Sequence, residues 1–184
     1  KFYGVSPKLK LFTLDAKSGS EIWVFDPFQN NKKYFDNDDT SLNVCRGITY
    51  FEDIFQNSYI FYGVGSKLFK VNSKNGEPDF TFGNNGFIDL HTGLGENSSS
   101  LFVSMTSPGV IFDNLIIVGS SVSEGNPAAK GNIRAFDANT GDLVWIFNTI
   151  PEIGEDGYDT YDDPNAYKRL GGANAWAGLT LDEK

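Results

Sequence analysis

Residues Ile133–Phe147 read "IRAFDANTGDLVWIF": a β-branched and aromatic run, a tight polar turn, and a second such run carrying a tryptophan. The pattern recurs as "LFTLDAKSGSEIWVF" at Leu11–Phe25 and "LFKVNSKNGEPDFTF" at Leu68–Phe82. Aligned on the turn, Asp15, Asn72 and Asp137 share one position. Gly19, Gly76 and Gly141 fall four residues later, and Trp23, Phe80 and Trp145 four later again. An Asp or Asn side chain bonds the backbone two residues on and starts a turn. A glycine takes the positive φ that closes it without steric penalty. The flanking runs Leu11–Leu14 and Ile22–Phe25, or Ile133–Phe136 and Leu143–Phe147, have strand composition and read as hairpin arms.

The copies recur at roughly 60 residues, and self-similarity at such a period marks a unit that buries its apolar face only by stacking on its neighbours. The runs Gly47–Phe51, Tyr59–Val64, Gly109–Phe112 and Leu115–Val118 supply further strands, enough for a four-stranded blade per copy. No stretch of helical length has a 3.6-residue apolar period. The predicted class is all-β: a β-propeller, because radial stacking protects sheet edges. Residues 1–184 are read as one partial propeller domain of about three blades, centred near 11–25, 68–82 and 133–147. The competing architecture is a β-sandwich with similar hairpins.

A net charge of −9 argues against a nucleic-acid partner, since phosphate recognition needs clustered Lys and Arg. No apolar run approaches the roughly 20 residues that cross a bilayer. The start, "KFYGVSPKLK", lacks a leader's apolar stretch, so the chain is read as beginning inside a mature protein. A single cysteine, Cys45, excludes an internal disulfide and a multi-cysteine zinc site. It reads as a small buried residue, with a thiol of lowered pKa as the alternative. His91, in "DLHTGLG", has no neighbouring metal-ligand type and reads as incidental. "PEIGEDGYDTYDD", Pro151–Asp163, is acidic but lacks the alternating ligands and closing Glu of an EF-hand.

Written as Ala135-x-Asp137-x-x-Thr140-Gly141-x-x-x-Trp145, the third copy resembles the tryptophan-docking repeat of the quinoprotein dehydrogenases. These are eight-bladed propellers carrying pyrroloquinoline quinone (PQQ), in which the tryptophan stacks on the turn of a neighbouring blade. The first copy has Thr13 for Ala and Ser18 for Thr, and the middle copy has Asn72 for Asp and Phe80 for Trp. "CRGITYFED", "GEPDFTFGNNGFIDL", "TSPGVIFDNLIIVGSSVSEG", "GNIRAFDANTGDLVWIFNTIPEIGEDGYDTY" and "GGANAWAGLTLDEK" are also similar, in the same order, to segments of the glucose- and alcohol-oxidising members.

Three residues carry the chemistry this resemblance implies. Trp176 lies among Gly171, Gly172, Ala173, Ala175, Ala177 and Gly178, small neighbours that let a flat body approach the indole. On composition alone it reads rather as a crowded core tryptophan; the resemblance makes it the floor under the PQQ ring, with Asn174 contacting the cofactor. Glu124, in "GSSVSEGNP", reads on its own as a solvated loop carboxylate. The resemblance makes it a ligand of the calcium ion that also grips PQQ, with Ser121, Val122 and Ser123 along the cofactor edge and Thr106 bonding a PQQ carboxylate. Arg46, in "NVCRGITYF", reads alone as a snorkelling cation, and by resemblance as the partner of the triply anionic cofactor.

Two departures bear on substrate. Thr40 and Ser41 stand where methanol-type members carry adjacent cysteines, and Leu42 where membrane glucose-type members carry histidine. The lack of the cysteine pair leans towards a sugar or polyol. The resemblance places the aspartate base and an asparagine calcium ligand after Lys184, so no catalytic residue is assigned within the chain. It implies oxidation of a sugar, polyol or alcohol hydroxyl, a quinone or cytochrome electron acceptor, and a periplasmic location, with any membrane association through other segments. It also implies a loop over the cofactor face at Pro151–Asp163. A non-catalytic scaffold propeller sharing the repeat is the alternative, as is a carbohydrate-binding propeller. Only the first reading requires Arg46, Thr106, Glu124 and Trp176 together.

Overall fold

A computed structural model describes residues 1–29, 44–95 and 97–183. Among them, regular structure is almost wholly antiparallel strand, relieved by three short 3-10 turns. The first sheet holds β1 (Phe2–Val5), β2 (Leu11–Leu14) and β3 (Glu21–Phe25). The second runs in chain order through β4 (Thr49–Glu52), β5 (Ser58–Val64), β6 (Lys67–Asn72) and β7 (Phe87–Asp89). After β8 (Val103–Ser104), the third sheet takes β9 (Val110–Phe112) and β10 (Leu115–Val118). The chain then forms β11 (Ser121–Val122), which pairs with β8, before β12 (Ile133–Asp137) and β13 (Leu143–Phe147) complete that sheet in the order β9-β10-β12-β13. These are three consecutive vanes of a propeller; the first has three strands among the described residues rather than the expected four.

The turns form for the reasons the sequence gives. Asp15 Oδ1 accepts from the Lys17 and Ser18 amides at 3.0 and 2.7 Å. Asn72 Oδ1 accepts from Lys74 N at 2.9 Å, and Asp137 Oδ1 from Asn139 and Thr140 N at 2.8 Å each. Gly19, Gly76 and Gly141 have φ of +74°, +79° and +84°, the left-handed region that glycine alone enters freely. In the first and third copies the hairpin register shifts at the same place, between Thr13 and Leu14 and between Ala135 and Phe136.

The vanes meet through two apolar clusters. Leu11, Trp23 and Phe25 of the first sheet pack on Ile60, Tyr62, Phe69 and Val71 of the second. Phe51, Phe61, Leu68 and Ile88 of the second pack on Ile116, Val118 and Phe136 of the third. The second sheet is thus buried on both faces, whereas Val144–Phe147 of β13 is exposed. Trp23, 8% exposed, lies on the second turn: its Nε1 donates to the Ser73 carbonyl at 3.3 Å, and a methyl group at Gly76 would come 2.6 Å from the indole.

The middle copy departs from the repeat. Its second arm is no strand; Pro78 supplies no amide, and only a single bridge joins it to Val71. Phe80, at the tryptophan position, is 54% exposed. Docking on the third turn passes instead to Ile88 and to Gly83, whose amide donates to the Thr140 carbonyl at 2.7 Å. A methyl group at Gly141 would come 2.8 Å from Ile88 and 2.9 Å from Gly83 N.

Candidate functional site

The inner ends of the second and third vanes, the β8–β11 ribbon and the 171–176 segment converge on one hollow of about 230 Å³. Its walls are Val44, Arg46, Thr106, Ser121, Val122, Glu124, Asn174 and Trp176. Seven of the eight residues singled out from the sequence therefore share it. Ser123 does not: it lies beside the hollow, its carbonyl oxygen 3.8 Å from where a methyl group on Gly172 would stand.

Local backbone geometry puts each group in place. Ser121 and Val122 pair with Ser104 and Val103, fixing the edge of the hollow. The amide of Arg46 donates to the Thr106 carbonyl at 2.8 Å, binding the "RG" segment to the strand exit that carries Thr106. The 171–176 segment is inlaid rather than merely apposed. Lys130 bridges Gly172 in parallel, with Gly131 N donating to Gly172 O at 2.8 Å and Gly172 N to Ala129 O at 2.9 Å. A methyl group on Gly171 would stand 2.0 Å from the Ala128 carbonyl, and one on Gly131 2.5 Å from the Asn174 Cα. Only hydrogen fits at either place. Asn174 Nδ2 donates to the Val122 carbonyl at 3.3 Å, tying this segment back to β11.

Trp176 keeps 45% of its surface open. The Arg46 guanidinium carbon lies 5.0 Å from the centre of the Trp176 ring, a cation–π contact at the mouth of the hollow. The Trp176 carbonyl accepts from Thr106 Oγ1 at 3.3 Å and from Ser107 Oγ at 2.7 Å. The hollow thus offers a half-open aromatic face, a cation, hydroxyls, an amide and one carboxylate, Glu124, which is exposed. Such a set can hold a flat polyanion against the ring and a hard cation at its carboxylate end. Among the described residues no three His, Cys, Asp or Glu side chains cluster to hold a metal by themselves.

Burial pushes the Cys45 thiol up, and its Sγ donates to the Gly47 carbonyl at 3.2 Å, so the thiol of lowered pKa is excluded. His91 is structural: Nδ1 lies 2.6 Å from Asp89 Oδ1 and Nε2 lies 3.0 Å from the Leu101 carbonyl. No residue of Pro151–Asp163 lines the hollow; Glu152 of that loop pairs with Lys130 instead. A larger hollow, about 430 Å³, is lined by Leu94, Ala129, Lys130, Tyr167 and Arg169 among others and holds none of the predicted residues. Thr40, Ser41 and Leu42 lie outside the described residues. Val44 and Ser107 escaped sequence reasoning. Val44 stands two residues from Arg46 in a segment extended enough to bring both to one wall, which was the signal available.

The PQQ family model described as "glucose/ethanol/alcohol dehydrogenase, beta-propeller domain" matches residues 1–184. A quinoprotein glucose dehydrogenase of Escherichia coli (strain K12) is 30% identical over 95% of this chain and 22% of its own length. A quinate/shikimate dehydrogenase (quinone) of Acinetobacter baylyi is 28% identical over 99% of this chain and 24% of its own length. The chain therefore spans about a quarter of these curated relatives. In fold it is similar to the crystal structure of quinohemoprotein alcohol dehydrogenase from Comamonas testosteroni, with a TM-score of 0.59 and 19% identity over 82% of this chain and 20% of that one.

Proposed function

Because the chain belongs to the PQQ family of glucose/ethanol/alcohol dehydrogenase β-propeller domains, we propose that it forms part of a quinoprotein dehydrogenase and holds PQQ in the hollow at Trp176. One observation carries this reading: Arg46, Thr106, Glu124 and Trp176, far apart in sequence, line a single hollow. A scaffold propeller gives no reason for these four to meet.

The residues suit the group. The open indole face takes one side of a planar ring, and stacking there fixes the ring's tilt. Arg46, over the indole in this structure, would offer its planar fork to a carboxylate of the ligand. Thr106 and Asn174 offer donors. Glu124 supplies a carboxylate for calcium, whose remaining hard-oxygen ligands would come from the cofactor and from residues elsewhere. When bound, PQQ would supply a quinone that accepts a hydride from the carbon bearing the hydroxyl, the hydroxyl proton going to a base outside this chain, and calcium would make the quinone more electrophilic.

This chain's part is to bind, orient and shield. It does not take the substrate's proton: Glu124 is the one carboxylate lining the hollow among the described residues, and it is assigned to the metal. The 184 residues alone are accordingly expected to lack turnover, and dye reduction by them with PQQ and calcium would contradict that assignment. We propose a sugar, polyol or alcohol as the substrate and a quinone or cytochrome as the electron acceptor, readings supported by the glucose- and quinate-oxidising relatives, and a periplasmic location as the expectation that goes with them. The test is a PQQ titration followed by tryptophan emission, with calcium or with chelator. Calcium-dependent quenching that Trp176→Ala abolishes supports the site; unchanged emission overturns it.

A further inference from the structure

The Thr106 hydroxyl has one proton and two claims on it. It lines the hollow, yet in this structure it donates to the Trp176 carbonyl at 3.3 Å. Ser107, the next residue, donates to the same carbonyl through the shorter bond of 2.7 Å. A carbonyl oxygen accepts both, but a hydroxyl cannot serve the carbonyl and a second acceptor at once. Consecutive side chains of an extended segment point to opposite sides. Both reach one oxygen here because the chain bends at Ser107. The bend is pinned on either side: Thr106 O accepts from Arg46 N at 2.8 Å, and a methyl group on Gly47 would stand 3.1 Å from the Pro108 ring.

We infer that Ser107 is a positioning residue: it holds the Trp176 main chain by itself once the Thr106 hydroxyl turns from that carbonyl to an anionic ligand in the hollow. The role rests on the PQQ reading given above. Ser107 touches no ligand. It keeps the indole in place while the neighbouring hydroxyl changes partner, so in the loaded site the two hydroxyls do separate work. The alternative is that they are redundant anchors of one carbonyl, and the two cases predict opposite patterns.

The test uses the full protein carrying this chain, with PQQ affinity read by tryptophan quenching in calcium. One hydrogen bond corresponds to roughly a three- to tenfold change in affinity. Ser107→Ala and Thr106→Ala are each expected to weaken PQQ by about that factor, and the double variant by about the product. Ser107→Thr, which keeps the hydroxyl, is expected to stay within about twofold of the parent. Single variants at parental affinity, with a loss only in the double variant, mean redundant anchoring and overturn the inference. A second arm needs no cofactor. Amide hydrogen exchange over the peptide around Trp176 is expected to quicken in Ser107→Ala but not in Thr106→Ala or Ser107→Thr. The reverse order overturns the inference. A parent protein that binds no PQQ defeats the proposed function, while the exchange arm still decides what Ser107 does.

Discussion

Three turn glycines share nearly one conformation and differ only in what lies over them, so alanine at each separates backbone strain from contact between vanes. Gly19 has φ +74° and nothing within 4 Å of an added methyl group. Gly76 has φ +79°, but its methyl group would stand 2.6 Å from the Trp23 indole. Gly19→Ala therefore costs the left-handed strain alone, about 1–2 kcal/mol. Gly76→Ala adds the cost of forcing Trp23 off its seat, about 1–3 kcal/mol for an overpacked contact. At about 3 °C per kcal/mol for a chain of this size, the midpoints fall by about 3–6 °C and 6–15 °C respectively. Melts followed by near-ultraviolet circular dichroism give the midpoints, and a red shift of tryptophan emission reports the unseating of Trp23. In a Trp23→Ala background the extra cost at Gly76 disappears. Equal losses at Gly19 and Gly76 in the parent would refute the idea that the second turn is a docking surface.

Further outcomes follow from the hollow and from one buried ion pair. Arg46→Ala weakens PQQ at least tenfold, since a hydrogen bond to a charged group is worth about 1.5–3 kcal/mol, and Arg46→Lys recovers only part of it because the planar fork is lost. Glu124→Gln removes the calcium dependence of PQQ binding, so titrations with calcium and with chelator superimpose. Burial pushes the Asp79 carboxyl up, but the Lys70 ammonium at 2.8 Å and the Thr81 donors outweigh it and hold the group below 3.8. Its stabilising share is thus complete above pH 3.8 and lost as pH falls through the lower folded value. Asp79→Asn flattens that acid limb in urea midpoints measured against pH, and an unchanged limb refutes it.

What could be read from the sequence was local. An Asp or Asn bonding its own backbone and a glycine at positive φ need only a few residues, so all three turns were legible. The failure of the middle hairpin was less so. Phe80 sat at the tryptophan position, but Pro78 and the run "FGNNG", with positive φ at Gly83, Asn85 and Gly86, sent the chain into an extra loop before β7. In the site, Trp176 among small residues announced a close approach, and Gly171 and Gly131 show what the small residues permit. Ser107 was illegible because its partner is the backbone of Trp176, far along the chain, and a main-chain carbonyl leaves no mark in sequence.

The double burial of the second sheet raises a problem of alignment. Where one face meets water, a one-residue slip between strands is punished by the exposure of every apolar side chain. Here Ile60 and Tyr62 face one apolar cluster and Phe61 and Leu68 the other, so a slipped β5–β6 ladder would still be greasy on both sides. The indexing falls to the few polar groups it encloses. The Ser58 and Ser73 hydroxyls, and the Ser73 amide with the Ser58 carbonyl, meet across the β5–β6 seam only in the native frame, whereas the Lys70–Asp79 pair lies on the β6 side of it. Displaced by one position, these two buried hydroxyls would lose each other, a penalty of about 1–3 kcal/mol. In this vane, grease supplies the cohesion and a pair of serine hydroxyls keeps the count.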